Sequence, residues 1–309
     1  MLTHSQKNIR KRHLGASDSA ALFGLDPFKS AADIWLTKCF DVEETETKNV
    51  AIELGNELEA PLLKWAAKEL GVEISTEPDD LFAVSETNPI FSATLDARIK
   101  PFNIKEALEA KVTSRANEYG EPFSDQIPDR TNIQAQHQMF VHQLQRVHVV
   151  VLIGRMGIRR ELYCVNRNEQ IIQAIIQKGE SFWRDFVLTK QQPPEDQFGL
   201  GNIEIIKHIK RSPQTWAEVD EALILDWDTK RQTRLDAEKA EKKAEERMLT
   251  PLKDAEGVRL FDGRVLEYYK VAKQILDQKK LKAEQPDLYN QFLKESISRT
   301  PHLKGVKNV

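Results

Sequence analysis

The apolar stretch "RVHVVVLIG", residues 146–154, does most to limit the folds open to this chain. A run of β-branched and aliphatic residues of this length predicts a fully buried strand. A further strand, "RRELYCV", follows it, and "EIS", "LFAVS", "FSATLDARI" and "ALEAKVT" are strand candidates upstream. Helical spacing of apolar residues marks "VAIELGNELEAPLLKWAAKELG" and "RNEQIIQAIIQKGESFWRDFVL". The sequence therefore predicts a protein that mixes helices and strands.

Helix boundaries are marked by their usual capping residues. Ser17 can cap a helix over "SDSAALFG", Ser30 can cap one over "SAADIWLTKCF", and Gly71 ends the long helix that precedes it. "NIQAQHQMFVHQL" predicts one more helix before the buried strand.

Length and composition describe a globular chain. It has 309 residues, 40% hydrophobic and 30% charged, which predicts one large domain with an appendage or two domains. A net charge of −3 argues against non-specific coating of nucleic acid, although a local basic groove would suffice for a nucleic-acid enzyme. No apolar run approaches the ~18 residues of a membrane span, and the polar start lacks the apolar region of a signal peptide, so a cytoplasmic setting is expected.

The segment "QQPPEDQ" is the best domain boundary, which predicts domains at residues 1–192 and 193–309. In the appendage, Thr215 and Glu218 form a capping box for a long helix with almost no apolar face. Such a helix is expected to be solvated and to carry ion pairs four residues apart rather than to form a coiled coil. Asp262-Gly263 predicts a hairpin, and Pro286 a last short helix.

Three charged residues lie where core strands normally carry apolar or neutral side chains. Side chains alternate along a strand, so Glu109 and Lys111 point to one face while Ala110 points into the core. A hairpin would bring Asp96 beside Glu109, and the two carboxylates would repel unless a cation lay between them. Oxygen ligands, including the Ala110 carbonyl, suit Mg²⁺ or Mn²⁺. A lysine beside the metal can help activate a water that attacks phosphorus.

A surface hairpin with a Glu109–Lys111 ion pair would explain the same letters. The flanking residues of "ALEAKV" favour a buried strand instead. The order of several motifs decides between the two interpretations. "LGASDSAALFGLDPFKSAADIWLTK", "ELGNELEAPL", "SATLDARI", "LEAKVT" and "NIQAQHQMFV" together resemble the YqaJ-type phage recombination nucleases, relatives of lambda exonuclease in the PD-(D/E)xK superfamily. The resemblance covers roughly residues 10–188, and "PDLYNQFLKESISR" is similar to YqaJ-type tails.

The resemblance implies an α/β fold in which a mixed sheet is flanked by helices, a restriction-endonuclease-like core. It implies Asp96 and Glu109 as metal ligands, Lys111 as the catalytic lysine and Glu59 as the acid that supports a second metal ion. Gln136 matches the family's helix glutamine that faces the active site.

The family's pocket for a DNA 5′-phosphate contains a serine, a second hydroxyl and an arginine. The resemblance places Ser17 and Thr94 there, with Arg10 and Arg12 both open for the arginine. Two departures stand out: Leu95 replaces the superfamily's usual proline, and Ala16 precedes Ser17 where the family is richer in glycine.

Other metal sites are disfavoured. His137 and His142 are five apart on a helix and do not share a face, and His148 lies in a strand, so these histidines are expected in the core or at the surface. Two cysteines cannot hold the four-cysteine iron–sulfur cluster of some superfamily members.

The resemblance implies a Mg²⁺-dependent 5′-to-3′ exonuclease that resects linear double-stranded DNA for phage-type recombination. A single-strand annealing protein is the expected partner, a ring-shaped homo-oligomer the expected assembly, and the cytoplasm of a bacterial host the expected location of a phage or prophage product. Two alternatives remain: an endonuclease on the same core, and a catalytically silent DNA-binding, scaffold or host-interaction protein.

Overall fold

The computed structural model describes residues 11–42, 50–154, 157–268, 274–293, 300–301 and 303. Its main sheet has five strands in the order β2-β5-β6-β7-β8. They are β2 Glu73–Ser75, β5 Ala97–Lys100, β6 Glu106–Thr113, β7 Arg146–Gly154 and β8 Ile158–Asn166. Only the β6–β7 pair is parallel among them, since β2–β5, β5–β6 and β7–β8 are antiparallel. The sheet is mixed, as expected, and the run that predicted a buried strand is β7, next to one edge.

A second, three-stranded sheet has the order β1-β4-β3. These strands are β1 Leu14–Gly15, β3 Phe82–Val84 and β4 Phe91–Thr94. β1 pairs in parallel with β4, with Leu14 opposite Phe91. The two-residue strand β1 was not predicted, because two residues carry no alternation that a pattern search can detect.

Helices cover both faces of the main sheet. In the N-terminal part they are α1 Ala16–Leu22, α2 Ala31–Cys39, α3 Val50–Leu70, α4 Pro78–Leu81, α5 Asp129–Val141 and α6 Glu169–Phe182, followed by the short α7 Glu195–Phe198 and α8 Ile203–Lys207. Leu62, Leu63 and Ala66 of α3 pack against one face of β5–β8. Ala135 and Met139 of α5 pack against the other. The prediction of a mixed sheet flanked by helices is confirmed.

Side-chain alternation along β7 explains why a helix is needed on each face. Val150 belongs to the cluster beneath α3, whereas Val149 and Val151 belong to the cluster beneath α5. All three are fully buried. A helix covers each face of β7, and the apolar side chains on both faces are therefore removed from water. This burial stabilises the fold by ~25 cal/mol per Å² of apolar surface.

Capping differs from the sequence-based expectation at α1 and agrees with it at α2. The N-cap of α1 is Gly15, two residues before the predicted Ser17, and the Gly15 N–H donates to the Asp18 carboxylate at 3.1 Å; Ser17 is exposed. Ser30 caps α2 as predicted, accepting from the Asp33 N–H at 3.1 Å.

Gly179 of α6 lets that helix approach the smaller sheet. A Cβ at this position would lie 2.5 Å from the Phe91 ring and 3.1 Å from Leu14. Gly179→Ala is expected to destabilise the protein by about 1–3 kcal/mol, because overpacking outweighs the gain in helix propensity. Gly55→Ala on α3 is the control, since a Cβ there meets nothing within 4 Å and should stabilise by up to about 1 kcal/mol. Urea denaturation would compare them, and equal stabilisation by both substitutions would contradict this packing.

The chain forms two compact units, Met1–Lys210 and Arg211–Val309. They therefore divide after the boundary predicted at 192/193. Helices α7 and α8 pack with the first unit: the Ser30 hydroxyl donates to the Leu200 carbonyl at 3.0 Å, and the Asn202 N–H donates to Asp33 at 2.5 Å.

The second unit contains a long helix, a hairpin and short helices. α9 Glu221–Leu249 is solvated and carries ion pairs four residues apart, such as Lys230–Asp226 at 2.6 Å, as predicted. The Thr215–Glu218 capping box is wrong, because the Asp220 side chain caps this helix by accepting from the Ala222 N–H. The predicted hairpin is confirmed as β9 Gly257–Arg259 paired with β10 Val265–Glu267, and α10 Gln278–Glu284 precedes α11 Pro286–Gln291.

Candidate active site

The motif residues lie where one strand of the main sheet stops short. β5 pairs with β6 only at Ala97 opposite Leu108 and Arg98 opposite Ala107, so no strand among the described residues pairs with β6 from Glu109 onward on that side. Asp96 immediately precedes β5. Its carboxylate accepts the Ala110 N–H at 2.8 Å, taking the place of a strand partner. The backbone N–H and C=O of one strand residue point the same way, so the Ala110 carbonyl faces this side as well.

Alternation along β6 places the charges as the sequence predicted. Ala110 packs with the cluster beneath α3, while Glu109 and Lys111 project towards α5. Glu109 is only 2% exposed. A buried carboxylate needs partners for both oxygens. Oε1 accepts from Lys111 Nζ at 2.6 Å and Gln134 Nε2 at 2.5 Å, and Oε2 accepts from Gln138 Nε2 at 2.6 Å.

The glutamines that reach Glu109 are Gln134 and Gln138, which the sequence analysis missed. They are four residues apart on α5 and so share one face of the helix. Gln134 also accepts from Lys111 Nζ at 3.1 Å, which ties the lysine to the same carboxylate. The spacing of four was a usable signal, but choosing this pair required the rotation of the helix.

The structure does not bring Gln136 to the cluster. Two residues along a helix correspond to about 200° of rotation, so Gln136 points away from Gln134 and Gln138. Its Nε2 donates to the Asn166 carbonyl at 2.9 Å, and its Oε1 accepts from the Asn168 N–H at 2.8 Å. Gln136 therefore connects α5 to the segment between β8 and α6, and Gln134 and Gln138 lie at the cluster instead.

Charges in the cluster perturb one another. Burial, and then repulsion by Glu109, raises the pKa of Asp96 well above its ordinary value. Burial works to lower the pKa of Lys111, but the neighbouring carboxylates of Glu109 and Asp96 outweigh it and raise that pKa. The arrangement thus combines a lysine held as an ammonium with a carboxylate that is costly to ionise.

Glu59 reaches the same place from α3. It lines an open cavity of about 340 Å³ together with Asp96, Glu109, Ala110, Lys111 and Gln134. Burial, and then the charge of Glu109, raises the pKa of Glu59. The structure therefore brings together Glu59, Asp96, Glu109 and Lys111, as the sequence analysis expected.

The donor set fits a hard divalent cation. Asp96, Glu109, Glu59 and the Ala110 carbonyl offer only oxygens, the ligand type that Mg²⁺ and Mn²⁺ prefer. Burial, and then the charge of Glu109, raises the pKa of Asp96, and a cation would offset the repulsion between these two carboxylates. In the described ranges, no three His, Cys, Asp or Glu side chains form a metal site by themselves, so this set relies on a backbone oxygen and on water. Mg²⁺ usually retains several waters.

The residues assigned to the 5′-phosphate are spread over several places. Ser17 is exposed and lines a second cavity of about 450 Å³ that shares Lys111 and Gln134 with the first. Thr94 offers its backbone carbonyl to Gln138 Nε2 at 3.2 Å. Arg12 is exposed, and Arg10 lies outside the described residues.

The three histidines make contacts within the fold. His137 is fully buried, bonded to the Ser19 hydroxyl at 2.7 Å and the Ser92 carbonyl at 3.1 Å, and burial lowers its pKa to about 4. His142 bonds the Ala93 carbonyl at 3.2 Å, and burial lowers its pKa also to about 4. His148 contacts the Glu106 carboxylate at 2.7 Å.

Comparison with known proteins identifies the part of the chain that holds this cluster. Residues 6–145 match the family model described as a YqaJ-like viral recombinase domain. The matched range includes Glu59, Asp96, Glu109, Lys111 and Gln134, so the whole cluster lies inside the part of the chain that is similar to this domain. The resemblance predicted from the ordered motifs is confirmed by this match.

The likeness to YqaJ proteins extends over most of the chain. The YqaJ protein of Bacillus subtilis (strain 168) is 27% identical over 311 residues, which cover 96% of this chain and 92% of the relative. Among solved structures, the alkaline exonuclease LHK-Exo from Laribacter hongkongensis matches 60% of this chain and 94% of its own, with 16% identity and a TM-score of 0.46. A phage-related exonuclease from Haemophilus somnus 129PT matches 61% of this chain and 84% of its own, with 15% identity and a TM-score of 0.35.

No helix within the described parts of the chain is long and apolar enough to cross a membrane.

Substituting neighbouring glutamines of α5 should separate activity from stability. Gln134→Ala is expected to lower any catalytic activity of this cluster by about 10- to 100-fold, because Glu109 and Lys111 lose a shared positioning partner. Gln136→Ala should keep its activity per folded molecule but lose about 1–3 kcal/mol of unfolding free energy, because the two hydrogen bonds from its buried side chain to the backbone of Asn166 and Asn168 are lost. Turnover and urea denaturation measured on both variants would show the contrast, and loss of activity only in Gln136→Ala would reverse the assignment.

Proposed function

We propose that this protein is a metal-dependent deoxyribonuclease, a 5′-to-3′ exonuclease that resects linear double-stranded DNA during phage-type recombination. The observation that carries the proposal is the buried Glu109, bonded to Lys111 and close to Asp96, on the wall of an open cavity. Paired carboxylates with an adjacent ammonium suit phosphodiester hydrolysis. The similarity of this part of the chain to a viral recombinase domain supports a role in recombination.

Each residue has a defined task in this proposal. Asp96, Glu109 and the Ala110 carbonyl would hold the metal, and Glu59 of α3, which lines the same cavity, would support a second ion. Mg²⁺, or Mn²⁺ in its place, would supply an activated water and neutralise charge on the phosphate.

Lys111 lies beside these carboxylates as an ammonium. Its charge would stabilise negative charge that develops on the phosphoryl oxygens, and its N–H groups would orient the attacking water. Gln134 and Gln138 fix the Glu109 carboxylate so that it need not reorganise during the reaction.

We also propose the biological setting that goes with this activity. The DNA substrate would have a free end, and Ser17 and Thr94, with Arg10 or Arg12, would bind its 5′-phosphate. The single strand that remains would pass to an annealing protein, in the cytoplasm of a bacterial host. A ring-shaped homo-oligomer would keep the enzyme on its substrate, with positive charge needed only along the channel.

One experiment tests the activity and its class. Linear duplex DNA with 5′-phosphates and a covalently closed circle are incubated with the full chain, in Mg²⁺ or in EDTA. Loss of the linear substrate alone, dependent on Mg²⁺, supports the exonuclease, and faster loss of a strand labelled at its 5′ end fixes the polarity. Cutting of the circle would transfer the protein to the endonuclease alternative. A folded protein that cleaves neither would favour the silent DNA-binding or scaffold alternative.

A further inference from the structure

A second cavity adjoins the active-site cavity and has a different lining. Its volume is about 450 Å³, and Lys111 and Gln134 line both. Its other walls carry Phe28, Arg115 and Arg130. The shared residues make the two cavities neighbours, so a polymer chain lying in one would continue directly into the other.

Phe28 presents an apolar ring at this cavity. The side chain is 78% exposed, and the residue is fixed by a turn in which its N–H donates to the Asp26 carboxylate at 2.8 Å. The Arg115 guanidinium lies 5.5 Å from the ring centroid, which is within stacking range. Single exposed apolar residues are common, but this one lies in a cavity wall with a cation beside it and a catalytic lysine on the same lining.

Two arginines supply positive charge to the same cavity. Arg115 and Arg130 both bond the carboxylate of Glu118, at 3.1 Å and 2.6 Å. These two arginines and Lys111 carry three positive charges at the cavity, against the negative charges of Glu118 and of Asp26, which also lines it. Each guanidinium has five N–H donors, and one bond to Glu118 does not use them all. The planar guanidinium fork matches the oxygens of a phosphate. Arg130 also lies in the first turn of α5, where the helix dipole favours an anion.

We infer that this cavity is a subsite for the DNA nucleotide next to the scissile phosphate: its base stacks on Phe28 and its phosphate binds Arg115 and Arg130. The inference rests on the proposed function, since the substrate strand must run past Lys111. Stacking on an aromatic ring is tolerant of sequence because every base has an aromatic face. The subsite would therefore hold the strand in place without selecting its bases.

Binding in EDTA tests the subsite without any cleavage. The full chain is titrated into a fluorescently labelled oligothymidylate single strand and into a base-free strand of the same length, and anisotropy is read. Phe28→Leu keeps an apolar side chain and removes the ring, so the base-containing strand should bind about tenfold more weakly while the base-free strand is unaffected. Phe28→Trp should restore binding.

Arg130→Gln tests the phosphate contact. It should weaken both strands alike and reduce the dependence of log K on log salt concentration by about 0.7, the value for one contact to a single strand. Phe102→Ala is a matched control, because Phe102 also stacks with an arginine, Arg98 at 4.7 Å, but follows β5 at the end away from Asp96. Phe102→Ala should leave the affinities for the base-containing and the base-free strand unchanged.

The outcomes separate the subsite from the activity. Unchanged binding by Phe28→Leu and Arg130→Gln in a protein that digests DNA would overturn the subsite and leave the nuclease proposal standing. Equal loss with both strands in Phe28→Leu would overturn the stacking role. Selective loss in a protein without nuclease activity would keep the subsite while the proposed function failed.

Discussion

Lys111→Ala is expected to lower the rate of the proposed DNA hydrolysis at least about a thousandfold, because the site loses the cation that would face the phosphate in that mechanism. The Lys111 ammonium contacts Glu109 and Gln134, and the charge of Glu109 favours its protonated form. A water molecule in the vacated space could hydrogen-bond, but it would carry no charge. The measurement is kcat/KM on linear duplex DNA in Mg²⁺.

The variant should remain folded, so the loss can be assigned to chemistry. Glu109 would still accept hydrogen bonds from Gln134 and Gln138. Lys105→Ala, at an exposed position before β6, is the control and should retain its full rate. Lys111→Ala that digests DNA within about tenfold of the unmodified chain would show that the cluster at β6 is not where hydrolysis occurs.

Stability should fall as the pH is lowered from 6.5 towards about 4, because His137 and His142 are buried as neutral rings. Their pKa values in the folded protein are about 4, against 6.5 for the free side chain, so the unfolded chain binds more protons throughout this window. The slope of unfolding free energy with pH is then positive, by up to about 1.4 kcal/mol per pH unit for each histidine. At about pH 4, the effect of each histidine lowers the unfolding free energy by at most about 3 kcal/mol.

Other titratable groups limit the pH range in which the effect of the two histidines on stability can be measured. The raised pKa values of Asp96 and Glu59 act in the opposite direction, because the folded protein takes up protons there first. Asp18 has a pKa lowered, against the effect of its burial, by Lys29 and Lys38, so its contribution is lost only below the histidine window. Urea denaturation between pH 7 and pH 4.5 measures the slope. His142→Gln should reduce it by about one proton, and a flat profile in the unmodified chain would contradict neutral burial.

The acidic cluster could be predicted from the sequence because it depends on short-range geometry. Alternation along one strand places Glu109 and Lys111 on one face, and a hairpin brings Asp96 to Glu109. The helix glutamine could not be chosen in the same way. The part of α5 from residue 135 to 141 is buried on every side, so no amphipathic pattern reveals its rotation. The resemblance identified the right helix, and the structure showed which of its side chains face the cluster.

The second unit shows the same limit at a helix terminus. Thr215 and Glu218 have the spacing of a capping box, but Asp220 lies closer to where α9 begins and offers a carboxylate as cap. The Thr215 hydroxyl bonds the Ser212 carbonyl at 2.8 Å instead. Competing caps a few residues apart differ by a fraction of a kcal/mol, which sequence inspection does not resolve.

The candidate active site depends on the short length of β5, which begins only at Ala97. If residues 94–96 continued as a strand beside β6, their main chain would take up the Ala110 N–H that now holds the Asp96 carboxylate. The sheet would be more complete, and its edge would have no free backbone oxygen to offer. Insertions and deletions around residue 96 should therefore lower activity more than the solvent exposure of this segment would indicate. An exchange of surface loops between relatives would have to preserve the number of residues between β4 and β5, even where their identities vary.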